Sequence, residues 1–420
     1  MGPFRASDDA NPTSEHPPMT LLRVFVPFAL GYFLSYLLRV VNAVIAPDLV
    51  GDLGLTAADL GLLTSAYFLT FAAVQLPLGI VLDRFGPRRT EAALLTFAAL
   101  GAFVFAAAET PAGLILGRAL IGLGVSACLM AAFKAFVMWF PGPRIPLVNG
   151  CQMAVGGLGA LTGTVPVEAA LQVTDWRGVF VFLGALTLAA AAAIFVVVPE
   201  RKSDYPPAPL RDQMGGVVKV FTSPVFWRIA PLTVAAQAAF LAIQSLWSGP
   251  WLRDVAGLGR ADVANHLLLI AMAMIAGFLL MGLIAERLGR LGIKPIAVAV
   301  GGMGAFIVLQ AALAFGWTES VAVVWGLFGF FGPAGILSYA VLSQSFPPEL
   351  AGRVITGLNV LVFSAAFLVQ WGIGAVIDLW PVSESGGYAP MAYQAAFGVI
   401  LAVEVATLIW FAVFPRVLRG

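Results

Sequence analysis

Charge is what this chain lacks most. Asp, Glu, Lys and Arg make up only 11% of its 420 residues, while 60% are apolar and the mean hydropathy is +0.95. A soluble domain carries about 25% charged residues, so this much apolar surface exceeds what a core can hide and calls for an apolar solvent. A net charge of +1 gives no basic face for a nucleic acid, and the composition is the opposite of a disordered chain. Cysteine is nearly absent too: Cys128 and Cys151 both lie in apolar runs, which excludes a disulfide framework and leaves them as small packing residues. His16 and His266 are the two histidines, and no His/Cys/carboxylate cluster accompanies them, so neither a resident metal nor another cofactor is expected. No Gly-x-x-x-x-Gly-Lys-Ser/Thr loop is present to support ATP drive, and no nucleophile–base set points to an enzyme. The first 19 residues are polar and Pro-rich and lack the basic-then-apolar order of a signal peptide; they read as a disordered cytoplasmic tail.

What is there is a series of long apolar runs. Charges at the bilayer centre are costly, so charge-free stretches mark spans. Eight runs reach 22 residues or more: 60–82, 145–167, 178–199, 229–252, 263–285, 295–318, 320–348 and 354–377. Four more are interrupted or short: 20–47 with Arg39, 90–108, 112–140 with Arg118 and Lys134, and 388–414 with Glu404. Together they predict twelve transmembrane helices, separated by breakers such as Pro47, Pro87, Pro111, the Pro141-Gly142-Pro143 run and Pro347-Pro348. The runs are too long and too continuous for a β-barrel. With the N-terminus in the cytoplasm, seventeen basic residues fall on the cytoplasmic side and three outside (Arg177, Arg253, Arg260). The positive-inside rule therefore puts both termini in the cytoplasm of an inner-membrane protein.

The chain also repeats itself. The loop after the second span reads Gly79-Ile-Val-Leu-Asp83-Arg84-Phe85-Gly86-Pro87-Arg88-Arg89, and the loop after the eighth reads Gly282-Leu-Ile-Ala-Glu286-Arg287-Leu288-Gly289-Arg290. Arg144-Ile-Pro-Leu-Val-Asn149 is echoed by Arg353-Val-Ile-Thr-Gly-Leu-Asn359. The expected organisation is a tail (1–19), a six-helix bundle (20–199), a cytoplasmic linker (200–224) and a second six-helix bundle (225–420). Internal repeats of this kind mark secondary transporters, whose substrate site lies at the repeat interface near the midplane.

In these marks the sequence resembles the major facilitator superfamily. The 79–89 stretch looks like its signature loop, Arg118-x-x-x-Gly122-x-Gly124 resembles its helix-4 motif, and Pro47-Asp48-Leu49 resembles its helix-1 end. Arg39-Val-Val-Asn-Ala-Val-Ile-Ala-Pro-Asp-Leu and Leu63-Thr-Ser-Ala-Tyr-Phe-Leu look like the bacterial nitrate/nitrite-transporter-like and magnetosome-permease group. The Gly-Asn signature of true nitrate carriers is missing, since no Asn stands among Gly156, Gly157 and Gly159. The resemblance implies two pseudo-symmetric six-helix bundles, a cavity lined by helices 1, 4, 7 and 10, and a conformational latch. That latch comprises Gly79, Asp83, Arg84, Gly86 and Arg88, with Glu286 and Arg287 as its degenerate copy. It also implies a helix-4 or proton-path role for Arg118, coupling to protons, and a monomer.

Intramembrane charges are functional candidates by default. Sixteen residues separate Arg118 from Lys134, so a straight helix cannot aim both at one substrate. Lys134 is the candidate ligand, with snorkelling to the cytoplasmic face as the alternative. Arg39 has Tyr36 at i−3 and Asn42 at i+3, a polar stripe that packing alone does not need; a pair with Glu168 is its alternative role. On the seventh span Gln237, Leu241, Gln244, Ser248 and Trp251 share one α-helical face. Gln152, Tyr339 and Asn359 complete the candidate substrate contacts, with polar packing between helices as the alternative for each. Glu168 and Glu404 are the possible proton acceptors.

A cationic N-terminal half and an amide- and aromatic-bearing C-terminal half predict import of a small organic anion, coupled to protons. The competing readings are an exporter of amphipathic compounds, a carrier of an anionic metal chelate, and a non-transporting membrane sensor or assembly partner.

Overall fold

A computed structural model of the chain describes residues 21–141, 144–201, 210–383 and 387–414. The expected tail, Lys202 and the C-terminal Arg416 and Arg419 lie outside these. The described residues are almost entirely helical, with one isolated bridge between Val382 and Tyr388. Among the described residues, ten helices are long and apolar enough to cross a membrane. One of them, Ala57–Ala107, is 51 residues long and holds two legs on either side of Gly86, whose φ of 76° breaks the helical path. Only glycine adopts that conformation without strain, and Pro87 follows it as the natural start of a new leg. The expected twelve segments follow when these legs are counted apart and Ile145–Thr162, continued by Val165–Ala170, is added.

Helix starts follow their capping residues. Thr56 and Asp59 form a reciprocal capping box ahead of Ala57, and Thr110 and Asp175 accept from the N–H groups of Gly113 and Gly178. These caps satisfy donors that a helix end would otherwise bury unpaired. Part of the expected linker is itself helical, Leu210–Phe221, and packs against Pro348–Ile377.

The N-terminal helices, through Val197, and the C-terminal helices, from Pro224, each pack among themselves. Ala57–Ala107 packs on Pro111–Val125 and Trp176–Val197, and Val26–Val40 on Ile145–Thr162; Arg260–Arg290 packs on Val321–Phe331, and Pro224–Ala242 on Pro348–Ile377. The two groups touch along Ala57–Ala107 against Pro348–Ile377, and Ile145–Thr162 against Arg260–Arg290. Small residues permit that contact. A Cβ on Gly374 would stand 2.3 Å from the Ala57 carbonyl oxygen, and one on Gly61 would stand 2.9 Å from that of Gln370.

Candidate functional site

Between the two groups lies a cavity of about 380 Å³. Its walls come from Tyr32–Arg39, Phe71 and Gln75, and the 125–133 stretch on one side, and from Gln237–Gln244, Pro333–Tyr339 and 355–363 on the other. Arg39 is the one charged side chain lining it among the described residues. Its guanidinium lies 4.4 Å from the Tyr36 ring centre and 5.8 Å from those of Tyr67, Phe71 and Phe363. Nε donates to the Tyr67 hydroxyl at 3.4 Å, and no described carboxylate pairs with Arg39. Aromatic faces stabilise a guanidinium without neutralising it, so the cavity keeps a net positive charge.

Tyr36, Gln237, Gln244, Tyr339 and Asn359, all expected as substrate contacts, line the same space. Gln237 donates to the Gly332 carbonyl at 2.8 Å, and Asn359 reaches Gln75 across the two groups at 3.5 Å. The side-chain amide of Gln244 makes no hydrogen bond within the described residues.

Four expected contacts are elsewhere. Lys134 points away from the cavity: its Nζ pairs with Asp83 and donates to the Leu82 carbonyl at 3.0 Å. A partner in the 79–89 loop outcompetes an apolar cavity for a flexible ammonium. Asn42 donates to Thr64 Oγ1 at 2.9 Å and joins two N-terminal helices. Gln152 is buried against the Phe28 carbonyl at 3.2 Å. Trp251 is buried beside Trp325, its indole N–H on the Leu313 carbonyl at 3.3 Å.

Trp251 has a geometric reason. Residues Ile243–Trp247 form a π-turn. The extra residue rotates everything after it by about 100° relative to an α-helix. Gln237, Leu241 and Gln244 therefore face the cavity, while Ser248 and Trp251 leave that face.

Arg118 is buried beneath this site, donating to the Leu38 carbonyl at 2.6 Å with its guanidinium 5.1 Å from the Tyr67 ring centre. It thus grips the backbone next to Arg39 and the ring that Arg39 bonds. Glu404 is fully buried and neither carboxyl oxygen has a partner. Glu91, which the sequence reading missed, is also fully buried, with the Cys128 thiol beside it, and its carboxyl occupies the space a Cβ on Gly31 would need.

The contacts at the two ends of the bundle differ. At the 79–89 end they stay within the N-terminal helices. Besides Lys134–Asp83, Arg88 donates to the Phe195 carbonyl and pairs with Glu200, and Arg89 pairs with Glu200. Arg84 lies over the Phe85 ring, Gly79 is exposed, Glu286 pairs with Arg290 and Arg287 is exposed.

At the opposite end the groups are tied together. Arg260 donates to both oxygens of Glu168 (2.7 and 2.9 Å) and both of Asp48 (3.0 and 2.7 Å). Glu168 is therefore paired with Arg260, not with Arg39. Asp378 accepts from the N–H groups of Ala57 and Ala58 at 2.9 Å each, which sets a carboxylate on a helix N-terminus. Tyr388 donates to Asp378 at 2.6 Å; burial and that bond push its hydroxyl up to about 12.

The family model described as Major Facilitator Superfamily matches residues 28–370. The chain belongs to the major facilitator superfamily. As a superfamily member it is a transporter, not an enzyme, and an integral membrane protein. Its relatives include the probable sulfoacetate transporter SauU of Cupriavidus necator, 24% identical over 86% of both chains. The nitrate/nitrite transporter NrtP of Picosynechococcus is 30% identical over 31% of this chain and 24% of its own. Among solved structures, a bacterial homolog of the human lysosomal transporter Spinster in an inward-facing and occupied conformation shares the fold. It has a TM-score of 0.72 and 19% identity, over 95% of this chain and 96% of that one.

Proposed function

We propose that this superfamily member is a secondary transporter that imports a small organic anion with protons across the bacterial inner membrane. The observation that carries the reading is Arg39, a buried guanidinium that faces the cavity between two helix groups and has no carboxylate partner. An unneutralised cation in a low-dielectric cavity favours an anionic ligand strongly. Gln244, Gln237 and Tyr339 supply hydrogen-bonding groups from the other side. The two bundles, 20–199 and 225–420, act as the rocking halves of a monomer.

With the 79–89 loop and both termini in the cytoplasm, the ties through Arg260 and Asp378 are periplasmic, and the conformation is inward-facing. Asp83, Arg84 and Arg88, with Gly79 and Gly86, form the latch of the outward-facing state. In the inward-facing state Asp83 and Arg88 are held by partners in their own bundle. The opposite faces of the transporter therefore lock in alternation. Glu91 and Glu404, buried carboxyls without a cationic partner, support protons as the coupling ion.

Uptake into proteoliposomes under an imposed inward proton gradient tests this. Organic-anion accumulation should collapse with a protonophore and with Arg39→Gln. Accumulation indifferent to the gradient removes the coupling, and full activity in Arg39→Gln removes the site. A second reading, export of amphipathic compounds, draws on the apolar wall of the same cavity; a gradient-driven flux out of the equivalent of the cytoplasm would favour it.

A further inference from the structure

The cavity is specific in what it lacks as well as in what it holds. Granted that an organic anion binds at Arg39, as proposed above, the lining limits the class of that anion. A dianion would need a second cation, and none lines the space among the described residues. Lys134 is paired with Asp83, and Arg118 is turned to the Leu38 carbonyl behind Tyr67. A second ionised group would enter a low-dielectric space without compensation, which costs several kcal/mol.

Most of the remaining wall is apolar or aromatic, interrupted by a few polar side chains such as Gln237, Gln244 and Asn359. Phe71 and Phe363, one from each helix group, have ring centres 4.2 Å apart and both flank the Arg39 guanidinium. Met130, Met153, Met274 and Phe278 continue the wall. Thioethers adapt their shape and make favourable contacts with aromatic rings. A polyhydroxylated acid would leave many hydroxyls unpaired against such a surface. Gln237 and Asn359 are already engaged by the Gly332 carbonyl and Gln75, so the Gln244 amide and the Tyr339 hydroxyl are left for one or two polar substituents, not a ring of them.

We propose that the substrate is an organic monoanion with an apolar body, of the aryl- or branched-alkyl-carboxylate class. Its carboxylate would meet Arg39, and its body would lie along Phe71, Phe363 and the methionines. This differs from what the names of two relatives state: sulfoacetate carries two acidic groups, and nitrate has no apolar body.

The test is counterflow of labelled phenylacetate by the full-length protein in proteoliposomes. Excess unlabelled benzoate, sulfoacetate, nitrate or the neutral isostere phenylacetamide competes. Benzoate should block exchange, and the other three should not at the same concentration. Phe363→Leu should raise the KM for phenylacetate about two- to ten-fold, because an aromatic contact is exchanged for an aliphatic one of similar volume. Preferred exchange of sulfoacetate or nitrate overturns the monoanion–apolar class while leaving an anion at Arg39. Equal competition by phenylacetamide, or exchange of none of the anions by folded protein, overturns the underlying anion reading as well.

Discussion

Arg260→Ala should open the end of the bundle that Arg260 now closes. Arg260 is the link from the C-terminal helices to two carboxylates of the N-terminal ones, through two pairs of hydrogen bonds of 2.7–3.0 Å. The Arg260 side chain is 44% exposed, so the pairs cannot be credited with buried-pair energies. Solvent-exposed ion pairs are worth about 0.2–1 kcal/mol each. The bidentate fork on Asp48, and a Glu168 side chain only 13% exposed, put both near the top of that range. Losing them costs the closed state about 1–2 kcal/mol, a factor of about 5–30 in the ratio of closed to open molecules. Spin labels at Val173 and Leu379, exposed residues on opposite helix groups near this end, would report the separation by pulsed dipolar spectroscopy, with Cys128 and Cys151 replaced. The longer distance should gain population in Arg260→Ala, and low salt should enlarge the difference between the two proteins. An unchanged distribution, or a shift toward shorter distances, would refute the assignment of Arg260 as a tie.

Other outcomes follow from the same geometry. Lys134→Ala should lower the maximal uptake rate and leave the KM within about twofold, since Lys134 holds Asp83 and does not line the cavity. Gly124→Val should lower the melting temperature of the purified protein. A Cβ there would stand 2.2 Å from the Ala98 backbone nitrogen, and overpacking of this kind costs about 1–3 kcal/mol or more. Tyr388→Phe should weaken the same tied end by a similar amount at every pH from 6 to 9. The folded pKa, about 12, is raised above the unfolded value of about 10, so the contribution of Tyr388 is fully present below pH 10 and is lost as the pH climbs through 12. A change in the labelled distance between pH 6 and 9 that disappears in Tyr388→Phe would contradict that sign.

The fold was legible because membrane helices declare themselves by hydropathy, and the repeat of acid, arginine and glycine at Asp83–Gly86 and Glu286–Gly289 set the architecture. Arg39 and its neighbour Tyr36 stood out for a related reason, since a charge in an apolar run is costly in lipid, and both line the cavity. The misplacements have distinct physical origins. Lys134 belongs to a helix that lines the cavity, but its partner Asp83 lies 51 residues away and no periodicity connects the two. Trp251 fell on the polar face only as long as the helix stayed α-helical, and the π-turn at Ile243–Trp247 is invisible to a 3.6-residue count. Glu91 passed unremarked because it follows Arg88 and Arg89 closely and reads as an interfacial charge, whereas the helix carries it into the packed interior against Gly31. The tie of Arg260 to Asp48 joins residues 212 positions apart, which a single sequence cannot pair.

The central claim, that an organic anion binds at Arg39, is tested most directly by calorimetric titration of phenylacetate into wild-type protein and into Arg39→Gln and Arg39→Lys. A hydrogen-bonded contact to a charged group is worth about 1.5–3 kcal/mol. The Gln variant should therefore bind about ten- to 150-fold more weakly, and the Lys variant, which keeps the charge but not the planar fork, should fall between. Equal affinity in all three proteins would contradict the claim.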